Sequence, residues 1–354
     1  MQENIKILSL GCRLNIVESE KIRIMLADAG VRRGIIINTC AVTAESERQS
    51  RQMVRKYARE NSGVQLFVTG CAATIAPTKI AEISGVSVVV ANKDKMDISA
   101  YLPNYKGNVP VPQLSSFASL SKGFVQIQNG CNHSCAYCIV SKLRGKNVSF
   151  SYEKILADVR ALVENGYSEI VLTGVDIAGY RYDSFFAISD LCRALLRDVP
   201  GMQRLRLSSL DPGIDLRPII DLMRSDSRIL PHMHLSMQSG SDEILSRMAR
   251  RHNAQMVREL MEYANFPPPP RLHPPTASRL TPLCAPKKRG ESLRTSKQQD
   301  WSESVMTPPL GGSRQASAAK QTGEPVGGQL SDSFPPTASN FASLVLCDSP
   351  SRGG

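Results

Sequence analysis

Apolar residues in the first 90 positions fall into four short runs that are rich in β-branched side chains, as in buried strands. These runs are 5–10, 35–38, 64–69 and 86–90. Between them, 18–30 and 44–60 have the mixed pattern of helices. Strands that alternate with helices at this spacing predict a parallel sheet covered on both faces. The sequence therefore predicts a doubly wound α/β domain over residues 1–105.

A second alternation follows the stretch 91–122, whose Pro, Ser and Asn residues are typical of a linker. The predicted strands are 124–128, 168–173, 204–208 and 232–237. The predicted helices are 151–165, 184–198, 215–224 and 241–264. Because successive βα units build barrels, we expect 118–265 to form a truncated, partial βα barrel. The last predicted strand of this barrel, 232–237, would then lie at an exposed edge of the sheet.

The composition changes sharply at about residue 265. The last 89 residues, 266–354, contain 14 of the 22 prolines and neither isoleucine nor tyrosine. Sequence rich in Pro, Gly and Ser buries too little apolar surface to offset the entropy of folding. We therefore expect 266–354 to be a disordered low-complexity tail.

Composition narrows the class of protein further. No run of about 18 apolar residues is present, so we expect no membrane span, and the amino terminus lacks a signal-peptide pattern. Nine cysteines without an export signal indicate a reducing compartment, where clustered thiols usually bind metal or do chemistry. The formal net charge of +11 permits an anionic partner such as nucleic acid, although charge alone is weak support. We expect a cytoplasmic monomer.

The strongest local signal is the C-x3-C-x2-C pattern of Cys131, Cys135 and Cys138, directly after a predicted strand. Three thiolates at this spacing suit an iron–sulfur cluster with one open iron. An open iron can bind the amino and carboxylate groups of S-adenosylmethionine (SAM). The alternative is a zinc knuckle with His133 as fourth ligand, but zinc sites usually pair two distant arms and no second arm follows. We interpret His133 as a loop residue.

A second set of cysteines is spread along the amino-terminal domain. Cys12, Cys40 and Cys71 each follow a different predicted parallel strand. The carboxyl ends of such strands line one edge of the sheet, where ligands bind. One cysteine there would be an ordinary buried side chain, but three at equivalent positions indicate a second three-thiolate site. Cys192, within an apolar helical stretch, is predicted to be a core residue.

With these sites in view, the chain resembles the methylthiotransferases of the radical SAM superfamily, and most closely the branch that modifies threonylcarbamoyl-adenosine in tRNA. The six cysteines match six cluster ligands, and the short interval from Cys12 to Cys40 favours that branch. The matching stretches cover 1–265 almost continuously and are LSLGCRLNIVESE (8–20), INTCAVT (37–43), SRQMVRK (50–56), VTGCAAT (68–74), QNGCNHSCAYCIV (128–140), ENGYSEIVLTGVDIAGY (164–180), RLRLSSLDP (204–212) and HMHLSMQSGSDEILSRM (232–248).

The resemblance implies insertion of a methylthio group at C2 of threonylcarbamoyl-adenosine beside the anticodon, with two 4Fe-4S clusters and SAM as cofactors. The catalytic ligands would be those of the cluster that cleaves SAM to a 5′-deoxyadenosyl radical, namely Cys131, Cys135 and Cys138. A cluster on Cys12, Cys40 and Cys71 would carry or supply the sulfur, and a second SAM the methyl group. The implied partners are the tRNA anticodon loop and an electron donor for the cluster, with no membrane.

The resemblance also assigns residues around these clusters. Those expected to line the SAM site are Tyr137, Gly174, Ser209 and Gln238. Asn15 matches a family position near the second cluster and would hydrogen-bond there.

Two other functions stay open from the sequence alone. The chain could be a non-catalytic iron–sulfur or sulfur-carrier protein, or a methylthiotransferase acting on isopentenyl-adenosine tRNA or a ribosomal protein. The family match stops near residue 265, before two further barrel strands and an RNA-binding β domain. We expect a frameshifted or degenerate product whose truncated form is inactive.

Overall fold

The computed structural model describes residues 4–117 and 120–264, together with the backbone of a strand at 345–348. The expected disordered tail, 266–354, otherwise lies outside the described residues. Among the described residues, no helix has the length and apolarity needed to cross a bilayer.

The amino-terminal domain is a four-stranded parallel sheet in the order β1-β2-β3-β4. Its strands are β1 (Asn4–Ser9), β2 (Arg33–Thr39), β3 (Gln65–Gly70) and β4 (Val88–Val90). Its helices are α1 (Arg13–Asp28), α2 (Ala44–Glu60), α3 (Cys71–Ile75), α4 (Pro77–Ala81) and α5 (Ile98–Tyr101). The predicted doubly wound fold is confirmed.

Alternate residues of the strands fill two separate cores, as expected for a sheet covered on both faces. Ile36 and Phe67 pack on one side against α1, while Ile35, Ile37 and Val68 pack on the other against α2 and α4. Helix α2 begins at Ala44 because the Thr43 hydroxyl accepts a hydrogen bond from the Ser46 amide at 3.1 Å.

Helix α1 begins five residues before the predicted start and is buried along most of its length. Ile22 packs in the core of the amino-terminal sheet, whereas Val17 packs in the core of the second half of the chain. The Lys21 ammonium lies 3.1 Å from the Asp158 carboxylate, and both side chains are buried. Lys21 in the middle of α1 is therefore paired inside the molecule rather than solvated.

The second half contains the predicted βα units as a partial barrel. Strands β5 (Gly123–Gln126), β8 (Glu169–Thr173) and β9 (Arg204–Leu207) form one parallel sheet, and β10 (Ser209–Leu210), β11 (His234–Gln238) and β12 (Val345–Asp348) form another. A short antiparallel pair joins β6 (Gln128–Asn129) to β7 (Val148–Ser149). The helices are α6 (Val140–Arg144), α7 (Tyr152–Glu164), α8 (Ile188–Asp198), α9 (Arg217–Ser225), α10 (Asp242–Arg247) and α11 (Ala254–Ala264).

Three local predictions are corrected. The helix predicted over 241–264 is two helices, because Ala249 has φ +53° and the buried His252 bonds the Met237 carbonyl at 2.9 Å. The predicted linker is packed rather than loose, since Tyr101 and Leu114 within it are each 1 % exposed. The strand expected at the exposed edge, β11, instead has β12 paired parallel beside it.

Candidate functional site

The loop with Cys131, Cys135 and Cys138 follows β6 at the end of the first barrel unit. Gly130, just before it, has φ +70°, and a Cβ at this position would fall on the Lys146 carbonyl. Only glycine suits both the left-handed backbone and this close approach. The Cys131 amide then bonds the Gly145 carbonyl at 3.1 Å, so the loop is held against the segment that follows α6.

Each of the three sulfur atoms in this loop faces an N–H donor. The amides of His133 and Val140 lie 3.4 Å from the Sγ atoms of Cys131 and Cys138, respectively. A guanidinium nitrogen of Arg250 lies 3.4 Å from Cys135 Sγ. Burial raises the pKa of the Cys131 thiol, while the His133 amide acts in the opposite direction. Donors of this kind stabilise sulfur that carries negative charge, as metal-bound thiolates do.

The buried Gln128 side chain connects this loop to the loop that follows β8. Its Oε1 accepts hydrogen bonds from the amides of Val175 and Asp176 at 2.9 and 2.8 Å. Its Nε2 donates to the Asn129 carbonyl at 2.8 Å. A Cβ at Gly174 would lie 2.8 Å from Gln128 Oε1, so a side chain there would displace this bridge. Gln128 therefore holds the ends of two barrel strands in register.

Next to the loop lies a cavity of about 360 Å³ that contains charged groups of both signs. His133 Nε2 is 3.2 Å from the Asp176 carboxylate, and its Nδ1 is 3.7 Å from Asp211. The Arg250 guanidinium is 2.7 Å from Asp211, yet its buried Nε has no hydrogen-bond partner among the described residues. Ligand atoms of Cys131, His133 and Asp176 all lie within 4.8 Å of one another.

The four residues expected to line the SAM site lie outside this cavity lining. Tyr137 is half exposed, and burial of its other half raises the pKa of its phenol. Ser209 lies opposite His234 across β10 and β11, with its Oγ 2.7 Å from His234 Nδ1. Gln238 ends β11 four residues later, with φ +74°. The structure therefore does not bring Ser209 and Gln238 to the same level of the sheet.

The second set of cysteines lies at the carboxyl edge of the amino-terminal sheet, as the topology requires. Thr39 pairs with Gly70, which places Cys40 level with Cys71. Gly11, with φ +83°, lies so close to Cys40 that a Cβ there would be 2.5 Å from its Sγ. Cys12 follows at once and precedes α1. Cys40 and Cys71 are buried, whereas Cys12 is exposed.

The two sets of cysteines adjoin. Cys71 belongs to a small buried cluster with Leu143 of α6, and Ile139, the residue after Cys138, packs against that cluster. Asn92 bridges the same place, because its Nδ2 lies 3.6 Å from Cys71 Sγ and 3.2 Å from the Leu143 carbonyl. The part of the sheet edge that carries Cys71 is therefore in contact with α6 and with the residue that follows Cys138.

A buried charged network lies beneath this junction. The Glu18 carboxylate of α1 bonds Lys95 at 2.7 Å and Arg144 at 2.7 and 3.0 Å. Burial by itself raises the pKa of Glu18, but the charges and hydrogen bonds of the two cations lower it to about 2. Arg144 also bonds Asn15 Oδ1 at 2.6 Å. Asn15 therefore hydrogen-bonds beside the second cysteine set.

Both sets of cysteines fit iron–sulfur clusters in the chemistry of their donors. Thiolate is the soft ligand that such clusters use, and three cysteines lie on the loop after β6 and three more at the ends of neighbouring strands of the amino-terminal sheet. Among residues 4–117 and 120–264, the buried Nε of Arg250 and the buried Oδ1 of Asn92 find no hydrogen-bond partner, and each atom belongs to a side chain that contacts a cysteine of one set. Cys192 has none of these features. It is fully buried in the barrel core, as predicted, and burial raises the pKa of its thiol to about 12.

Sequence reasoning missed Asp176, Asp211, Arg250 and Arg144. Asp176 and Asp211 follow barrel strands, so the rule that placed three cysteines at strand ends could also have indicated them. Arg250 gives no such signal, because it lies in a segment predicted to be helical. Arg144 is in a short helix that the apolar pattern does not show.

Comparison with known proteins gives two family models. The model described as Radical SAM superfamily matches 125–265, and the model described as Uncharacterized protein family UPF0004 matches 4–91.

Curated relatives match across both parts. The threonylcarbamoyladenosine tRNA methylthiotransferase MtaB of Rickettsia prowazekii is 38 % identical over 74 % of this chain and 66 % of the relative. The proteins of the same name from Bacillus subtilis and Aquifex aeolicus are 31 % and 30 % identical over 71 % and 72 % of this chain. The chain spans 61 % and 68 % of their lengths.

Among solved structures, the radical S-adenosylmethionine methyltransferase TsrM of Kitasatospora setae, with cobalamin and a [4Fe-4S] cluster bound, has a similar fold. The TM-score is 0.52 at 13 % identity, over 74 % of this chain and 67 % of that one.

Proposed function

Since this chain belongs to the radical SAM methylthiotransferase family, we propose that it inserts a methylthio group at C2 of threonylcarbamoyladenosine in tRNA. The substrate class is supported by the relatives, whose names specify threonylcarbamoyladenosine tRNA. The proposed partners are the anticodon loop of that tRNA and an electron donor, and the cofactors are SAM and two 4Fe-4S clusters.

The observation that carries this proposal is the junction of two three-cysteine sites. A methylthio transfer requires a site that activates the C–H bond and a site that presents sulfur, both within reach of one base. Ile139, next to Cys138, packs against the buried group of apolar residues that contains Cys71, which supports placing the two sites side by side. A single site, or two distant ones, would not meet this requirement.

Cys131, Cys135 and Cys138 would hold the cluster that, when bound, supplies the electron for SAM cleavage. The chain itself provides the surroundings. Gln128 fixes the loops after two strands, and Gly174 leaves room for that bridge. The adjoining cavity offers carboxylates and a guanidinium to a ligand that carries both an amine and a carboxylate, as the methionine part of SAM does. Cys12, Cys40 and Cys71 would hold the second cluster.

The test uses the full chain, reconstituted anaerobically with iron and sulfide and then given SAM, dithionite and tRNA. The proposed function predicts 5′-deoxyadenosine together with 2-methylthio-threonylcarbamoyladenosine, identified by mass spectrometry of the digested tRNA. The same reaction decides the expectation that the truncated form is inactive, because an inactive form gives neither product. Parallel reactions with isopentenyl-adenosine tRNA and with ribosomal protein separate the other branches. Iron that binds without any 5′-deoxyadenosine would contradict the enzyme and favour a carrier.

A zinc site is the second candidate, favoured by the closeness of Cys131, His133 and Asp176. His133 Nε2 lies 3.2 Å from the Asp176 carboxylate. The imidazole therefore contacts a carboxylate rather than the cysteine sulfur atoms. The variant His133→Ala distinguishes a zinc site from an iron–sulfur cluster at this loop. Zinc at one equivalent that is lost in this variant would support the zinc site, whereas unchanged iron content supports the cluster.

A further inference from the structure

Arg144 makes an unusual set of contacts for a side chain that is only 3 % exposed. Its two terminal nitrogens bond both oxygens of Glu18 at 2.7 and 3.0 Å. The same nitrogens also bond Asn15 Oδ1 at 2.6 Å and Asn129 Oδ1 at 3.2 Å. Arg144 therefore connects α1 of the first domain with β6 of the second through four hydrogen bonds.

These contacts continue to the cysteines on both sides. Asn15 Nδ2 donates to the carbonyls of Leu10 at 2.7 Å and Thr39 at 3.2 Å, just before Cys12 and Cys40. On the other side, Asn129 Oδ1 accepts the amide of Gly130 at 2.9 Å, and Gly130 precedes Cys131. A hydrogen-bonded chain thus runs from one cysteine set to the other, with Arg144 at its centre.

Charge indicates that this arrangement does more than join two domains. Lys95 already neutralises Glu18 at 2.7 Å, so Arg144 leaves the buried network of these three residues with an excess positive charge. A buried excess cation is costly unless its surroundings compensate it. The guanidinium reaches the sheet edge that carries Cys12 and Cys40 through Asn15, whose Oδ1 it bonds at 2.6 Å and whose Nδ2 bonds the Leu10 and Thr39 carbonyls. The guanidinium is therefore placed to serve the site where sulfur is held.

We propose that Arg144 is a positioning residue that fixes the loop of Cys131, Cys135 and Cys138 against the sheet edge with Cys12, Cys40 and Cys71. It would set the separation across which sulfur is transferred. The transfer itself rests on the proposed function, but the positioning can be measured without any cluster. The contacts with Glu18, Asn15 and Asn129 need the planar guanidinium with its several donors, so lysine at position 144 would not reproduce them.

The first experiment is hydrogen–deuterium exchange on the metal-free full chain. Arg144→Lys keeps the charge and loses the planar guanidinium, and should speed exchange of the Cys131, Leu143 and Gly145 amides roughly ten- to a hundredfold, the value of a charged hydrogen bond.

Two control variants should leave the exchange rates of these amides unchanged. Lys142→Gln alters an exposed charge on the same helix, and Asp158→Asn weakens another buried pair of α1. Equal acceleration in Asp158→Asn, or none in Arg144→Lys, would overturn the proposal.

The second experiment measures coupling in the reconstituted chain. Arg144→Lys should still cleave SAM, but should form at least about tenfold less methylthiolated tRNA per 5′-deoxyadenosine, because only the transfer needs both sites. An unchanged ratio would sink the positioning role even if exchange is faster. A different result is that the unaltered chain makes no methylthiolated tRNA while Arg144→Lys still speeds exchange of the loop amides. That result would contradict the proposed function and support the positioning role of Arg144.

Discussion

The two cysteine sites are built in opposite ways from the same residue type. Cys131, Cys135 and Cys138 lie on one short loop, and their spacing is visible in the sequence. Cys12, Cys40 and Cys71 are far apart in the sequence and share one edge of the sheet only because they follow three neighbouring parallel strands. The first site depends on local backbone geometry, whereas the second depends on the register of a whole sheet. Their sensitivities to substitution should differ accordingly.

The largest effect is expected from removing the ligands of one site at a time. Changing Cys131, Cys135 and Cys138 together to Ala should remove about four of about eight irons, and changing Cys12, Cys40 and Cys71 should remove the other four. Iron and sulfide analysis after anaerobic reconstitution measures this, with Cys192→Ala as a control that leaves the iron unchanged. Loss of all iron from either triple variant would show that the two sites are not independent.

A smaller effect is expected on the network that joins the sites. Glu18→Ala leaves Lys95 and Arg144 buried without their carboxylate, which costs about 3–5 kcal/mol of the free energy of unfolding. Urea denaturation of the metal-free chain measures it. Glu45→Ala, which removes an exposed partner of Arg48, is the control and should leave the midpoint unchanged. A Glu18 variant as stable as that control would show that the network contributes nothing.

The loop site should be sensitive to a single methyl group. Gly130→Ala combines φ +70° with a Cβ on the Lys146 carbonyl, and should cost about 1–3 kcal/mol and lower iron at the loop. Gly145→Ala has φ +76° but no atom within 4 Å, so it isolates the backbone cost alone. Thermal unfolding of both variants distinguishes them. Equal losses would mean that the close approach is unimportant.

The smallest effect is a dependence on pH. The pKa of Glu18 in the folded chain is about 2, below its usual value of 4.5, so its stabilising contribution is complete above pH 4.5. That contribution falls as the pH drops from 4.5 towards 2. The urea midpoint of the unaltered chain should therefore decline over this window more steeply than that of Glu18→Gln. Parallel curves would contradict the assignment.

The sequence predicts best those features of the structure that neighbouring residues determine. The eight strands expected from the sequence lie within one or two residues of observed strands, because buried β-branched runs are distinctive. The two-residue strands β7 and β10 are too short to give such a pattern. Spacing singles out Cys131, Cys135 and Cys138, and strand order singles out Cys12, Cys40 and Cys71; that each set holds a cluster stays a prediction. Glu18 and Lys21 could not be recognised as buried, since ESEK looks like a solvated helical face until its partners Arg144 and Asp158 are known.

The same partners bear on whether the first domain can fold alone. Residues 1–90 contain all four strands of the amino-terminal sheet, which taken alone would favour an independently folding fragment. The structure shows that Glu18 and Lys21 find their partners at Lys95, Arg144 and Asp158, all outside that fragment. We therefore expect 1–90 to be much less stable than the whole chain. A fragment extended to 105 would recover only the Lys95 pair.

Helix α1 also has a consequence for synthesis on the ribosome. It is made among the first residues, but Glu18 meets Lys95 77 positions later and Arg144 126 positions later, and Lys21 meets Asp158 137 positions later. At roughly 5–20 residues per second, Arg144 and Asp158 follow after about 6–27 seconds. During that time the helix has unpaired charges and an apolar face with no barrel to cover it. The nascent chain is therefore exposed to aggregation until α7 has emerged, and chaperones that bind early should act on α1.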